Sequence, residues 1–378
     1  MAVEGNDLGE ATAVQGDPGD ETPPSDVPAA FAGKDPRLTP YGATNLGTPP
    51  ELLANLDELT VPNDCFFVRS NGPTPIISPE TWRLRIGGLV ERELILSLTD
   101  LQAMPGRTLT AFLECSGNSR SRFVPTAEGT AWQDDAVGNA TWGGVSLATV
   151  LDLAGLRDGA VEIVSQGGDF AGMQRGLPLP VARDPDTLLA WEMNGEPLPL
   201  PHGGPVRLLV PGWGGIASTK WLVGLEVIDR PFDGPWNTDS YVFYDADGTA
   251  LGPVREMGVK SIIVAPGTET RLAAGRQPIV GYAWSGWGRI ARVEVSTDGG
   301  TTYEEARIVR ADGPRSWVRF EHPWSAAPGQ ARLRSRATDE AGNTQPETIP
   351  WNARGYGMHA VQEISVSVVE PELGRGTS

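Results

Sequence analysis

Gly281–Gly300 reads GYAWSGWGRIARVEVSTDGG, and its pattern decides the fold of the second half of the chain. Two runs rich in β-branched and aromatic residues, Gln277–Trp284 and Ile290–Ser296, flank a Ser-Gly-Trp-Gly break and end at the turn cluster Thr297-Asp298-Gly299-Gly300. Further runs follow the same rhythm at Val259–Val264, Tyr303–Val309, Ser316–Glu321, Ala331–Thr338 and Gln362–Val369, with a second turn cluster at Asp339–Asn343. About seven short strands in about 110 residues predict an immunoglobulin-like β-sandwich over residues 251–372. That unit contains no cysteine, so its core is expected to hold without a disulfide, filled by Trp284, Trp287 and Trp317.

Residues 46–250 read differently. Short strands are predicted at Trp82–Ile86, Leu109–Leu113, Ala160–Ser165 and Pro205–Val210, and short helices at Leu46–Leu59, Leu98–Met104, Leu147–Ala154 and Val181–Asp184. The Gly-, Pro- and Trp-rich stretches between them suggest a pocket assembled from loops on a mixed α/β scaffold. No G-x-G-x-x-G opens a helix, which argues against a Rossmann domain. Residues 1–45 are expected to form an acidic flexible tail, because they carry little apolar surface to offset ordering entropy.

The 378-residue chain has a formal net charge of −18, which makes nucleic acid an improbable partner. No apolar run approaches the ~20 residues of a membrane span. The absence of a leader suggests a soluble cytoplasmic protein, or an exported one if a leader has been removed. With Cys65 and Cys115 the only cysteines, and His202, His322 and His359 the only histidines, a disulfide framework and a four-cysteine zinc site are excluded.

Cys115 ends an apolar run in Leu113-Glu114-Cys115-Ser116-Gly117-Asn118-Ser119-Arg120, where a turn can aim backbone N–H groups at its sulfur. Hydrolytic nucleophile, redox thiol and metal ligand all remain open for it, beside the bland reading of a small buried hydrophobe. Arg69 in Phe66–Gly72 and Arg120 beyond Cys115 suggest a small anion held by guanidinium forks, or merely surface ion pairs. His202-Gly203-Gly204-Pro205-Val206-Arg207 and Ser218-Thr219-Lys220-Trp221 carry donors suited to a phosphate.

Five blocks, FFVRSNG, LECSGNSR, AWEMNGEPLPLPHGGPVRLLVPGWGG, STKWL and GYAWSGWGRIARVEVSTDGG, together resemble the sulfite oxidase family of molybdopterin-dependent oxidoreductases. The resemblance spans about Thr48 to Val369. It implies an α+β chain: a mixed α/β sulfite-oxidase-type molybdopterin-binding domain, followed by the immunoglobulin-like unit as dimerisation domain. Cys115 then matches the protein thiolate that ligates molybdenum beside the two sulfurs of the pterin. Arg69, Arg120, Trp132 and Tyr241 match the oxyanion pocket. His202, Arg207, Ser218, Thr219, Lys220 and Asp169 match positions holding the pterin and its phosphate, and Asn71 stands where animal members carry a cofactor-binding histidine. Two departures make the pocket less positive: Glu128 replaces a lysine, and Glu363 aligns with a substrate arginine.

The family implies oxidation of sulfite to sulfate, with electrons passed to an external acceptor such as a c-type cytochrome and the chain paired as a homodimer. Other readings on the same domain are a nitrate reductase-like oxidoreductase and the molybdenum subunit of a thiosulfate-oxidising complex. A non-enzymatic adhesion or scaffold module would leave the LECSGNSR block without a purpose.

Overall fold

The computed structural model describes residues 31, 33–169, 173–245 and 247–370. Most of the expected acidic tail lies outside them. Its last part is built into the fold: Phe31 and Leu38 are buried, and Thr39–Tyr41 pairs with Asn45–Gly47 in a hairpin. The fold therefore takes in part of the acidic stretch, anchored by two apolar side chains that enter the core.

Two five-stranded sheets form the first unit. One runs Glu196–Pro197, Leu188–Met193, Val137–Ser146, Gly106–Glu114, with Arg207–Leu209 also pairing with Leu188–Met193. The other runs Leu94–Leu96, Leu84–Gly88, Leu222–Ile228, Glu162–Gly167, Gln174–Pro178. Between them lies an apolar cluster that includes Leu84, Ile86, Val145, Ile163, Leu208 and Leu225. The helix Leu147–Ala154 joins it through Leu147, Val150, Leu151 and Ala154, an i, i+3, i+4, i+7 stripe. Helices are few and short; the stretch predicted as helix over Leu46–Leu59 is helical only at Pro50–Ala54.

The second unit stacks a four-stranded sheet on a five-stranded one. The four-stranded sheet runs Lys260–Ala265, Gly275–Trp284, Val318–Ala326, Arg307–Ala311. The five-stranded sheet runs Arg271–Ala273, Glu363–Val369, Gly329–Asp339, Ile290–Ser296, Glu304–Glu305. The predicted run Tyr303–Val309 divides at Ala306, so its halves serve opposite sheets. The boundary expected between 250 and 251 falls inside the strand Ala250–Pro253, which pairs back onto Val242–Tyr244.

The tryptophans expected in the sandwich core lie elsewhere. Strand alternation sends Ile279 and Ala283 inward to the cluster between the two sheets, and sends Val280, Tyr282 and Trp284 to the opposite face. That face, with Ile262, Val264 and Trp317, packs onto Phe66, Phe112 and Trp142 of the first unit. Trp284 and Trp317 thus cement the two units together, while Trp287 is half exposed in the connecting turn. Gly281 is needed where it stands, since a Cβ there would lie 2.2 Å from the Ile262 carbonyl oxygen.

A buried polar knot joins the units at the same seam. The Glu114 carboxylate accepts from Lys260 Nζ at 2.9 Å and Asn118 Nδ2 at 2.9 Å on one oxygen, and from Trp284 Nε1 at 2.8 Å on the other. Lys260 also donates to Ser119 Oγ at 2.8 Å. Both ion-pair side chains are 1% exposed. Breaking a buried pair by removing one partner costs about 3–5 kcal/mol, because the other charge is left uncompensated. Lys260→Met should therefore lower the urea midpoint strongly, whereas Arg85→Ala, whose pair with Glu93 is exposed, should leave it nearly unchanged.

Candidate active site

Cys115 follows the strand Gly106–Glu114, and its backbone N–H donates to the Ala136 carbonyl at 2.9 Å. The next residues turn sharply, with Ser119 at φ +66° held by Lys260 and Asp134. Burial pushes the Cys115 thiol up, and the Arg69 guanidinium and the Gly117 N–H at the sulfur oppose that shift. A sulfur so placed ionises when a cation binds it directly. Cys65 lies elsewhere, its thiol pushed up to about 12 by burial and by Asp64 and Asp35, and the two cysteines are not paired.

Cys115 faces a cleft of about 730 Å³, part of it open solvent. Of the residues expected from the sequence, Arg69, Asn71, Asp169, His202, Arg207, Ser218, Thr219, Lys220 and Tyr241 line it too. Phe66, Phe67, Leu113, Met173 and Ile216 supply apolar wall. At one end Asn71 Oδ1 receives Arg69 Nη2 at 2.6 Å and the Tyr241 hydroxyl at 3.2 Å, leaving the Asn71 amide nitrogen to donate. Tyr241 is held at φ +54°, an unusual conformation for a bulky residue. Arg175 clamps the surrounding chain: buried, it donates to the Trp236 and Val254 carbonyls, and Val254 N–H in turn donates to the Tyr241 carbonyl at 2.7 Å. Burial pulls the Arg175 guanidinium down to about 10.

At the other end three basic groups are buried together. Arg207 donates to the carbonyls of His202 and Ser218, both at 2.8 Å, and no carboxylate pairs with it among the described residues. Burial lowers it to about 9. Lys220 donates to Ser70 Oγ at 2.6 Å and the Pro201 carbonyl at 2.9 Å, and is driven well below the ordinary lysine range by burial, then by Arg207. His202 is held neutral by burial and by Lys34, Lys220 and Arg207. Asp169 is the single carboxylate on the cleft wall among the described residues. Ser116 Oγ is buried without a hydrogen-bond partner in the same wall.

Four expected residues do not line the cleft. Trp132 packs against Tyr41 with the rings tilted and their centroids 4.5 Å apart, fully inside the core. Arg120 is tied to the Arg354 carbonyl at 3.0 Å and the Thr130 carbonyl at 2.9 Å, with its guanidinium over Tyr356, which stacks on Tyr241. Glu128 is exposed and lies 3.5 Å from Arg354. Glu363 sits on the five-stranded sheet of the second unit, paired with Arg334 and Arg332, so it does not weaken the charge of the cleft. Tyr356, Arg175 and Lys34 had no motif to reveal them. Tyr356 reaches the site only because Asn352–Gly357 folds back, and Gly357 N–H bonds the Ser116 carbonyl at 2.9 Å.

The model of the oxidoreductase molybdopterin binding domain matches residues 71–236, and that of the Mo-co oxidoreductase dimerisation domain matches 252–368. Mitochondrial sulfite oxidase of Rattus norvegicus is 36% identical over 88% of this chain, which spans 66% of the rat protein's length. Sulfite oxidase of Gallus gallus is 34% identical over 89% of this chain and 81% of its own length. The crystal structure of the sulfane dehydrogenase SoxCD from Paracoccus pantotrophus superposes with a TM-score of 0.81 at 31% identity, covering 95% of this chain and 94% of that one.

The clustered cations predict an unusual pH response. An unfolded lysine keeps its proton to about pH 10.4, while folded Lys220 releases it well below that. Between the two values the unfolded chain binds more protons, so this group makes stability rise with pH. In protein stripped of bound anions, raising the pH from neutral toward the ordinary lysine range should raise the urea midpoint more in wild type than in Lys220→Met. Inorganic pyrophosphate at pH 7 should replace that gain.

Proposed function

The chain belongs to the sulfite oxidase family of molybdopterin-binding oxidoreductases, and we propose that it oxidises sulfite to sulfate and delivers the electrons to an external acceptor. One observation carries the reading: two buried cations, Arg207 and Lys220, and a fully desolvated His202 line one cleft with a buried thiol and, among the described residues, a single carboxylate. Buried charge is tolerated when an opposite charge arrives, and a phosphate-bearing pterin brings one. The donor set therefore fits the family's cofactor.

His202, Arg207, Ser218, Thr219 and Lys220 hold the pterin and its phosphate in this reading, with Asp169 and the Asn71 amide as further contacts. Cys115 is the protein's ligand to molybdenum. When bound, the molybdenum centre supplies two-electron redox chemistry and oxygen-atom transfer. The chain's own part is to place the anion. Arg69 binds its oxygens through a charged fork. The Tyr241 hydroxyl, which donates its proton to Asn71 Oδ1 and accepts from Arg69, is held in the cleft wall beside the place of the reacting anion. Phe66, Phe67, Leu113 and Ile216 keep bulk water away. Arg120, which touches Tyr356 rather than the cleft, acts as a support behind Tyr241.

The second unit is read as an immunoglobulin-like sandwich that pairs two copies, supported by its two facing sheets and the dimerisation-domain match. The net charge of −18 favours a basic acceptor such as a c-type cytochrome. A second reading takes sulfane sulfur as substrate. It is favoured by the likeness to the sulfane dehydrogenase over nearly the whole length of both chains. Among the described residues, no helix is long and apolar enough to cross a membrane.

Purified protein should contain molybdenum and reduce cytochrome c when sulfite is added. Turnover with a protein-bound persulfide but not with sulfite would move the assignment to the second reading; absence of both metal and turnover would defeat both. Arg69→Gln should raise the KM for the anion more than about tenfold, as expected for loss of a charged hydrogen bond of about 1.5–3 kcal/mol. An unchanged KM would remove Arg69 from the pocket.

A further inference from the structure

Lys34 belongs to the stretch whose composition suggests a tail, yet its half-buried ammonium reaches Phe66 and His202 of the cleft wall. An ammonium has three protons, and three acceptors surround this one. They are the Asn63 carbonyl at 2.5 Å, the Phe66 carbonyl at 2.8 Å and His202 Nε2 at 3.1 Å.

His202 Nε2 also lies 3.1 Å from the Asn63 carbonyl oxygen, so the ring stands between two arrangements. In one, Nε2 is bare and accepts from Lys34, leaving the ring proton on Nδ1. In the other, Nε2–H donates to Asn63 and Nδ1 is bare. A charged Lys34 selects the first, because an ammonium cannot accept a hydrogen bond and would set N–H against N–H in the second. Burial lowers Lys34 only to about 8, with Asp64 and Cys65 acting to raise it, so it is charged at neutral pH. Lys220 and Arg207 on the far side, together with burial, keep the imidazole neutral. Nothing among the described residues bonds Nδ1, and His202 lines the cleft.

We propose that Lys34 is a positioning residue that fixes His202 in the Nδ1–H tautomer, so that the cleft wall presents a donor, not an acceptor, to an anionic cofactor group. The ligand half of this statement rests on the function proposed above, whereas the tautomer half does not. The neutral donor adds a hydrogen bond for the phosphate without another buried positive charge beside Arg207 and Lys220, and Lys34 supplies its counterpart from behind. The N-terminal arm is then part of the cofactor site.

The test is 15N NMR of the holoenzyme labelled at histidine. With three histidines in the chain, His322→Gln and His359→Gln assign the His202 signals. At pH 7 the wild type should show a bare Nε2 and a protonated Nδ1. Lys34→Gln should move the proton to Nε2 and reduce the pterin retained after dialysis at least severalfold, while Lys34→Arg should preserve both. A wild-type His202 protonated at Nε2 overturns the proposal even if Lys34→Gln does not fold. So does an unchanged tautomer in Lys34→Gln, or a changed one with full pterin retention. The expected pair of tautomers in a protein devoid of pterin would instead defeat the proposed function and leave the Lys34–His202 coupling supported.

Discussion

The buried Glu114 carboxylate is the constraint on which the site depends. It sits one residue before Cys115 and takes hydrogen bonds from Asn118 of the same loop and from Lys260 and Trp284 of the second unit. The position of the thiol is therefore set by both units at once. A loop held only by its own turn would leave the sulfur free to move by ångströms. Here Ser119 Oγ, Asn118 and Glu114 are buried and hydrogen-bonded, the arrangement in which a polar network rigidifies rather than weakens a core. The second unit thus braces the cysteine loop from behind, although none of its described residues lines the cleft.

The other half of the cleft follows the opposite principle. Arg207, Lys220 and His202 are desolvated without enough negative charge beside them, so each is pulled toward its neutral form. Folding places these groups at a cost that an incoming anion offsets. Binding and stability are linked in such a site, since whatever fills it stabilises the folded chain by mass action. Tyr241, in a left-handed conformation and braced by Arg175 through Val254 and by Tyr356 alongside, shows the same logic at the other end of the cleft. Strain at one residue is maintained by packing around it.

The sequence was most informative where chemistry is concentrated in contiguous blocks. Cys115, His202, Arg207 and Lys220 lie in dense motifs, and the structure gathers them around one cleft. Strand runs in the second half were legible because β-branched and aromatic residues alternate there. The sides on which they pack were less so. A strand buried on both faces looks uniformly apolar, which is why Trp284 and Trp317 read as sandwich core when they face the first unit. Residues that act through long-range folding left no local trace. Lys34 sits in an acidic, low-complexity stretch, and Tyr356 follows an ordinary turn. Trp132, Arg120 and Glu363 show the limit of alignment: Trp132 packs in the core and Glu363 pairs on the second unit, while Arg120 is tied to carbonyls behind the cysteine loop, from where its charge still acts on Cys115.

The central claim is that one protein sulfur, fixed by the Glu114 knot, completes a metal site in an anion-binding cleft. Molybdenum K-edge X-ray absorption on purified protein tests it most directly by counting sulfur neighbours. Three are expected in the wild type, two from the pterin and one from Cys115, falling to two in Cys115→Ser with the metal retained. A protein without molybdenum, or a sulfur count that Cys115→Ser leaves unchanged, would contradict it.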